Sequence, residues 1–164
     1  MKKTNKSTVS VRYLTPAAII AALYVVLTGV SAMLGLASGV MQVRLSEDLT
    51  LLPSFTSAAV PGVTIGCLLA NLLTGAPLPD IIFGTLASFL GVLGASFLRK
   101  YKYLVAIPTI FSNAIIIPLV LQYAYGVPDA FWYLMLTVGA GEVISAGIFG
   151  GVLLHVLQKQ KLFR

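Results

Sequence analysis

The sequence has very few of the side chains on which enzymes and metal sites usually depend. Only five of its 164 residues are Asp or Glu, and it contains one cysteine and one histidine. A single cysteine excludes an intramolecular disulfide. The patterns G-x-x-x-x-G-K-[ST], H-E-x-x-H and G-x-S-x-G are absent, which argues against ATP binding by a P-loop and against hydrolase chemistry. The lone His155 is expected to be a solvated residue near the end of the last helix, so we predict neither an enzyme nor a metal site.

Hydrophobic residues, by contrast, are in large excess. They make up 58% of the chain, which has a mean hydropathy of +0.96, whereas soluble domains contain roughly 45–50% apolar residues. Apolar runs reach membrane-spanning length, about 20 residues. The composition therefore predicts an all-α integral protein of the cell membrane, with residues 1–164 forming one domain. The sequence shows no internal repeat, so a transporter built from two matching halves is not indicated.

The N-terminal region has the basic start of a signal peptide, but its apolar run is too long for one. The run extends over residues 14–36. The hydrophobic region of a signal peptide has roughly 7–15 residues, and no A-x-A cleavage site follows this run. We therefore interpret it as the first transmembrane helix.

The remaining apolar runs predict five more segments. Helices are predicted over 80–98, 103–124 and 131–157. The run 49–75 is either one long helix or two short ones, and the turn pair Pro61-Gly62 near its middle favours two. The prediction is therefore a bundle of six transmembrane helices. Whether the two short pieces cross fully, or dip into the membrane and return, stays open.

The distribution of positive charge supports six segments. With six, ten Lys and Arg residues lie on the side of the N-terminus and only Arg44 lies on the other, whereas five segments divide them seven against four. Because positively charged loops stay in the cytoplasm, we predict six segments with both termini cytoplasmic. The ten cytoplasmic residues are Lys2, Lys3, Lys6, Arg12, Arg99, Lys100, Lys102, Lys159, Lys161 and Arg164.

Acidic and amide side chains collect in the outer half of this predicted bundle. Glu142 lies 11 residues below Phe131, so at about 1.5 Å per residue it is roughly 16 Å from the outer end of its helix. Asn113 reaches a similar depth, while Asn71 and Asp80 lie nearer the outer surface. An ionisable group inside a membrane helix costs roughly 2.5–3.5 kcal/mol, which makes it a candidate functional group. These groups predict a polar, outward-open cavity; the alternatives are interhelical hydrogen bonding and proton transfer through Glu142.

The stretch "MQVRLSEDL" (41–49) places three charges between apolar runs. Its alternation of polar and apolar residues predicts an extended segment. Such a segment would fold over the mouth of the cavity as a lid and bring Gln42, Arg44 and Glu47 to a ligand. Alternatively, Ser46 caps a following helix that has acidic residues in its first turn, where the helix dipole favours them.

Three aromatic side chains are candidates to stack on a flat ligand in such a cavity. They are Tyr24, in the first helix, and Trp132 and Tyr133, at the start of the last helix. Tryptophan and tyrosine are also common at the membrane interface, so anchoring explains Trp132 and Tyr133 equally well.

Small residues line one side of the first helix. Ala17 and Ala21 are four apart, as are Ala18 and Ala22. This spacing lets a second helix approach closely. The second helix belongs either to the same bundle or to a partner protein.

Three consecutive motifs resemble those of one family. They are "VRLSEDLTLLP" (43–53), "GCLLANLLTG" (66–75) and "DIIFGTLAS" (80–88). They are similar to the Q-x-R-x-S-E-x-L-x-x-L-P, G-C-x-x-A-N-x-x-x-G and F-G-T-x-A stretches of the QueT family of queuosine-precursor transporters, and the resemblance extends over nearly the whole chain. The six segments and the small-residue first helix also resemble the substrate-binding S component of energy-coupling factor transporters.

This resemblance implies a function. An S component captures a micronutrient at the outer face and docks, here through the alanine face of the first helix, on a membrane coupling protein with two ATPases. ATP is used by those partners, so the chain itself would need no cofactor. The implied ligand is a 7-deazaguanine, either queuine or a precursor base. Glu142, with Glu47 as the second candidate, would accept the two adjacent N–H groups of its guanine-like edge, and Asn71 and Asn113 would meet the carbonyl and pyrrole edge.

Two other functions stay open. The cargo of an S component could instead be another vitamin, such as thiamine or riboflavin. A self-sufficient transporter driven by protons through Glu142 would work without ATPases. In each case the partners are a small molecule and the lipid bilayer, and none requires nucleic acid.

Overall fold

The computed structural model describes residues 6–36, 42–102 and 104–159, without the side chains of residues 6–10. In these ranges all regular secondary structure is helical, so the predicted all-α class is confirmed. The helices are α1 (Lys6–Met33), a 3-10 helix (Leu45–Ser54), α2 (Ala59–Leu73), α3 (Asp80–Phe97), α4 (Ala106–Tyr123) and α5 (Phe131–Lys159).

Four stretches within these helices are long and apolar enough to cross a membrane. They are Val11–Met33 in α1 and the whole of α3, α4 and α5. α2 is apolar but has only 15 residues, which corresponds to about 22 Å. That length is shorter than the roughly 30 Å hydrocarbon core of a bilayer. The chain is therefore a multi-pass membrane protein.

The first helix starts and ends earlier than the predicted 14–36. It stops at Met33 because Gly35 takes a positive φ of 71°, a conformation that glycine adopts easily and that commonly ends helices. The backbone N–H of Leu36 then donates to the Ser31 carbonyl at 2.9 Å, which satisfies one of the last carbonyls of the helix.

The predicted division of residues 49–75 at Pro61-Gly62 is wrong. The break lies at residues 55–58. Pro61 lies in the first turn of α2, where the missing N–H removes no intrahelical hydrogen bond. Gly62 lets α2 pack closely on α1, because a Cβ there would lie 2.8 Å from the Ala17 carbonyl oxygen. The two residues therefore serve helix initiation and helix packing.

The 3-10 helix runs through the interior of the bundle. At its start the Leu45 N–H donates to Ser31 Oγ (2.9 Å), and beyond its end the Ser57 carbonyl accepts from the Tyr13 hydroxyl (3.2 Å). Along α1 these two contacts are about 27 Å apart, close to the roughly 30 Å hydrocarbon core. Seven of the ten residues of the 3-10 helix are buried. The segment thus follows α1 over most of its height without facing lipid.

This position corrects the interpretation of residues 41–49 as an extended lid. Residues 45–49 belong to the 3-10 helix, Arg44 before it is in an extended conformation (φ −109°, ψ 112°), and Met41 lies outside the described residues. Glu47 and Asp48 do lie in the first helical turn, as predicted. Ser46 does not cap that turn, since it lies inside the helix, whose N-cap residue is Arg44; its Oγ accepts a hydrogen bond from Thr28 Oγ1 at 2.8 Å.

The two ends of the bundle differ in charge. We call the end that carries Arg99, Lys100, Lys102 and Lys159 the basic end, and the opposite end, with residues 74–79 and 124–130, the cavity end. The half next to the basic end has an apolar core formed by Leu51, Ala95, Val105, Ala146 and Leu154. The polar interior lies in the other half.

Candidate functional site

Two carboxylates from distant parts of the sequence meet in the interior of the bundle. Glu47 on the 3-10 helix and Glu142 on α5 are 2% and 8% exposed. They interact electrostatically with each other and with Arg44. Asn113 of α4, 4% exposed, lies close enough to interact with both carboxylates. The structure therefore brings four of the predicted site residues into one cluster, which we call the acid cluster.

The Glu47 carboxylate is held by hydroxyl groups from two neighbouring helices. Its Oε1 accepts a hydrogen bond from the Tyr24 hydroxyl at 2.5 Å and one from Ser88 Oγ at 3.4 Å. Tyr24 belongs to α1 and Ser88 to α3. The acid thus connects the 3-10 helix to both helices that flank it.

Four buried polar atoms of the acid cluster have no hydrogen-bond partner among the described residues. Most buried polar groups in proteins have one, and each unsatisfied group costs roughly 1–3 kcal/mol, or more when it is charged. Two of these atoms are donors and two are acceptors. They are Arg44 Nε, Asn113 Nδ2, Glu47 Oε2 and Glu142 Oε2.

Next to Glu142, α5 departs from regular α-helical geometry. This part of α5 contacts the residues that lead into the 3-10 helix. Residues Val143–Phe149 form π-helical turns that pack against the 3-10 helix; such turns are frequent at functional sites. Ser145 in this stretch accepts a hydrogen bond from the Arg44 N–H at 3.1 Å. On the other side of Glu142, a Cβ at Gly141 would overlap the Gln42 carbonyl oxygen. The glycine therefore permits the close approach that places Arg44 beside the acids.

One face of α1 contributes three hydroxyl groups to the site. Tyr24, Thr28 and Ser31 follow the i, i+4, i+7 spacing that places side chains on one side of a helix. They contact Glu47, Ser46 and the Leu45 N–H, respectively. Sequence reasoning missed Thr28 and Ser31, although polar residues at this spacing in an apolar helix were the signal. It also missed Ser145, for which only its position on an interior helix was informative.

A cavity of about 270 Å³ opens at the cavity end, next to the acid cluster. Its volume is near the lower limit of small-molecule sites, about 300 Å³. Arg44 lines this cavity and also interacts with Glu47 and Glu142, so its side chain separates the cavity from the acids. The lining residues are Thr28, Ala32, Arg44, Asn71, Thr74, Gly75, Ala76, Pro77 and Asp80.

Asn71 and Asp80 form the wall of this cavity opposite α1. Asn71 Nδ2 donates to the backbone carbonyl of Asp80 at 3.2 Å and contacts Cys67 Sγ at 3.6 Å. This amide therefore fixes the start of α3. The Asp80 carboxylate interacts with Tyr125, and burial together with that negative charge raises the pKa of the Tyr125 phenol. This interaction joins the segment between α4 and α5 to the start of α3.

None of the three predicted stacking residues lines the cavity, and Tyr133 is exposed. Trp132 is 68% exposed and contacts the Phe131 ring edge-on, with centroids 5.7 Å apart, so the alternative of interface anchoring fits its position. The Tyr24 ring is buried in an apolar cluster with Val63 and Cys67. Only its hydroxyl reaches the site.

The alanine pairs of α1 have different environments. Ala17 and Ala21 are buried against α2, where Gly62 and Gly66 leave room for them. These two residues therefore pack within the chain, which is the first of the two predicted alternatives, and are not available for docking. Ala18 and Ala22 are exposed, and for them docking on a partner stays a prediction.

A second, larger cavity does not have the chemistry of the site. It measures about 580 Å³ and lies between α3 and α4, with an apolar lining of Phe83, Leu86, Ile116, Leu119, Val120, Tyr123 and Ala124. Within the ranges that the structure describes, no group of three His, Cys, Asp or Glu residues is arranged to hold a metal ion. His155 is exposed near the basic end, as expected for a solvated residue.

Comparison with known proteins identifies the family. The model of a family described as "QueT transporter" matches residues 14–159. A curated relative, the queuosine precursor transporter QueT of Lactococcus lactis subsp. cremoris (strain MG1363), is 39% identical over 86 residues. The alignment covers 52% of this chain and 50% of the relative, so it spans about half of that protein's length. No solved structure is a significant match. Since the family match covers most of its length, this multi-pass membrane protein belongs to the QueT transporter family.

Proposed function

We propose that this protein is the substrate-binding S component of an ATP-driven energy-coupling factor transporter. Its cargo is a 7-deazaguanine queuosine precursor, either queuine or a preQ-type base. Membership of the QueT transporter family and the name of the L. lactis relative support this class of cargo. The observation that carries the proposal is the set of four buried polar atoms without partners in the acid cluster.

A guanine-like edge can supply the partners that these four atoms lack. It presents an N–H and an amino group side by side, next to a carbonyl oxygen. Glu47 Oε2 and Glu142 Oε2 would accept from the nitrogen groups, in charge-assisted bonds that are roughly twice as strong as neutral ones. Asn113 Nδ2 and Arg44 Nε would donate to the acceptor atoms of the base. The unpaired donors and acceptors of the cluster thus complement those of the ligand.

The cavity provides the route to the acid cluster. A base entering there meets Arg44, which must move for the base to reach the carboxylates. Arg44 is held by Gln42, whose Oε1 accepts a hydrogen bond from Arg44 Nη2 at 3.0 Å. The two residues act as the gate, while the substituent at position 7 stays in the cavity near Asn71 and Asp80.

The chain crosses the membrane six times, with both termini in the cytoplasm. The span of the 3-10 helix alongside α1 supports its assignment as the second crossing, and α2 returns as the third. Arg99, Lys100 and Lys102 connect α3 to α4 at the basic end. Positive residues in such loops favour the cytoplasm, so the cavity faces outward.

Energy for uptake comes from a membrane coupling protein and two ATPase subunits, so the chain itself takes no cofactor. The missing P-loop pattern supports this division. The exposed Ala18 and Ala22 provide the small-residue face for docking on the coupling protein, because such faces let helices pack closely.

Calorimetric binding to the purified chain in detergent tests the proposal. We expect nanomolar binding of queuine or of its 7-aminomethyl or 7-cyano precursor, and much weaker binding of guanine, thiamine and riboflavin. Glu142→Gln keeps the side-chain shape and should weaken binding by about 100-fold, since hydrogen bonds to charged groups contribute roughly 1.5–3 kcal/mol. Asp129→Asn, which changes an acid in the outer loop, is the matched control and should bind like the parent.

Three outcomes would contradict the proposal. Tight binding of thiamine or riboflavin would keep the architecture and replace the cargo. Unchanged affinity in Glu142→Gln would remove this residue from recognition. Uptake by the chain reconstituted alone, without ATPases and dependent on a proton gradient, would favour a proton-driven transporter.

A further inference from the structure

The two oxygens of the Glu47 carboxylate have different surroundings. Oε1 accepts hydrogen bonds from Tyr24 and Ser88, at 2.5 and 3.4 Å. Oε2 is buried and has no partner in the described part of the chain. One oxygen is therefore engaged by the protein, and the other is free for a ligand.

Both hydroxyl donors are fixed independently of any ligand. The Tyr24 ring is buried in the apolar core between α1 and α2, and α2 approaches it so closely that a Cβ at Gly66 would lie 2.7 Å from Tyr24 Cβ. Ser88 is buried on α3. The terminal torsion of a glutamate is soft, so without these donors the plane of the Glu47 carboxylate could rotate away from the ligand.

We infer that Tyr24 and Ser88 are positioning residues that turn the free oxygen of Glu47 toward the exocyclic amine of the bound base, and that they thereby set selectivity for bases that carry this amine. The inference rests on the proposed function. It replaces the predicted stacking role of Tyr24 with a role for its hydroxyl. Glu47 then reads the amine, and Glu142 accepts from the neighbouring ring N–H.

Two physical effects produce the selectivity. A carboxylate already held in its binding orientation loses less conformational freedom when the ligand binds. A base without the amine leaves a buried charged acceptor unpaired, and sites built around such hydrogen bonds reject analogues that lack the group. Releasing Glu47 from Tyr24 and Ser88 weakens both effects. The carboxylate then loses more conformational freedom when a ligand binds, and it can turn away from a ligand that offers no donor.

Two bases that differ only at the amine provide the test. Calorimetry would compare 7-deazaguanine with 7-deazahypoxanthine, which lacks the amine, on the parent, Tyr24→Phe, Ser88→Ala and the control Tyr133→Phe. Tyr24→Phe should lower affinity for 7-deazaguanine about tenfold and change affinity for 7-deazahypoxanthine by less than about twofold. Ser88→Ala should act in the same direction but less strongly, because its bond is longer. Tyr133, exposed on α5, should affect neither base.

The pattern of losses separates positioning from a general structural effect. Equal losses for both bases in Tyr24→Phe, or no loss for either, would overturn the inference. If Tyr24→Phe does not fold, Ser88→Ala carries the same comparison, and an unchanged ratio between the two bases would overturn it. A parent protein that binds neither base would contradict the proposed function, and the inference would fall with it.

Discussion

The cavity half of the bundle and its basic half are held together by different interactions, although the same helices form both. In the basic half, Leu51 packs with apolar side chains of α3, α4 and α5. In the cavity half, the same 3-10 helix places Glu47 among hydroxyl, amide and guanidinium groups. The two residues are four positions apart, about 8 Å along a 3-10 helix. The 3-10 helix therefore contributes Glu47 to the acid cluster and Leu51 to the apolar core.

This division means that stability and binding can be changed separately. The basic half resembles a close-packed core, in which changes of volume are costly. The cavity half contains the acid cluster, in which four buried polar atoms have no partner among the described residues. They cost stability and leave donors and acceptors for a polar ligand. Substitutions in each half should therefore affect different measurements.

Leu51→Ala should have the largest effect on stability. Removing a buried leucine side chain typically costs about 2–5 kcal/mol because a cavity remains. Thermal unfolding in detergent would measure the loss, and calorimetry should show unchanged ligand affinity of the folded fraction. Leu136→Ala on the exposed face of α5 is the control and should unfold like the parent. A loss of affinity without a loss of stability in Leu51→Ala would show that the two halves are not separable.

Gly141→Ala should damage the cavity half. The new Cβ would overlap the Gln42 carbonyl oxygen and push residues 42–44 away from α5, at a cost of about 1–3 kcal/mol for overpacking. Because Arg44 moves with this segment, ligand affinity should fall as well. Gly151→Ala is the matched control, since a Cβ there has no neighbour within 4 Å. Normal binding by Gly141→Ala would mean that this close approach does not position the site.

Thr109→Val and Asn113→Leu form a comparison one turn apart on α4. Both native side chains carry a buried polar atom without a partner among the described residues. Thr109→Val should therefore be neutral or stabilising, by up to about 1 kcal/mol. Thr109 lies near the basic end, and its replacement should leave binding unchanged. Asn113→Leu also removes the amide that interacts with both carboxylates, so it should gain no stability and should lose ligand affinity. Equal binding by both variants would remove Asn113 from the site.

The smallest effect concerns the pair Tyr125–Asp80 at the cavity end. Burial first, and then the Asp80 charge, raise the pKa of the Tyr125 phenol. Because the folded-state pKa is raised, the associated stability is present below the ordinary tyrosine pKa, about 10, and is lost as pH rises through the folded value. Asp80→Asn should lower this pKa partway toward the ordinary value. Absorbance titration of each protein against its Tyr125→Phe counterpart would detect the shift, and an identical titration would exclude the interaction.

Residues on regular helices were predictable from the sequence. Counting about 1.5 Å per residue placed Glu142 and Asn113 at a similar depth, and the structure brings them together. The calculation worked because the rise of a helix does not depend on its neighbours. The apolar runs predicted the spans 80–98, 103–124 and 131–157, which differ from the observed helices by at most three residues at either end.

Residues fixed by tertiary contacts were not predictable in this way. The path of the 3-10 helix depends on Ser31 and Ser145, which accept the Leu45 and Arg44 N–H groups, and no local pattern specifies such distant partners. The alanine pairs of α1 show the same limit. Both have the same spacing, and the position of the glycines on α2 determines that Ala17 is buried while Ala18 is exposed.

The buried course of the 3-10 helix has a consequence for biogenesis. Leu45–Ser54 contains two carboxylates and a proline within ten residues, so it would not partition from the translocon into lipid as an independent unit. Its backbone and side-chain polar groups find partners on α1 and α5, which are far apart in the order of synthesis. The segment can therefore reach its final position only after α5 has been made, which makes completion of the ligand site a late event in the assembly of the protein.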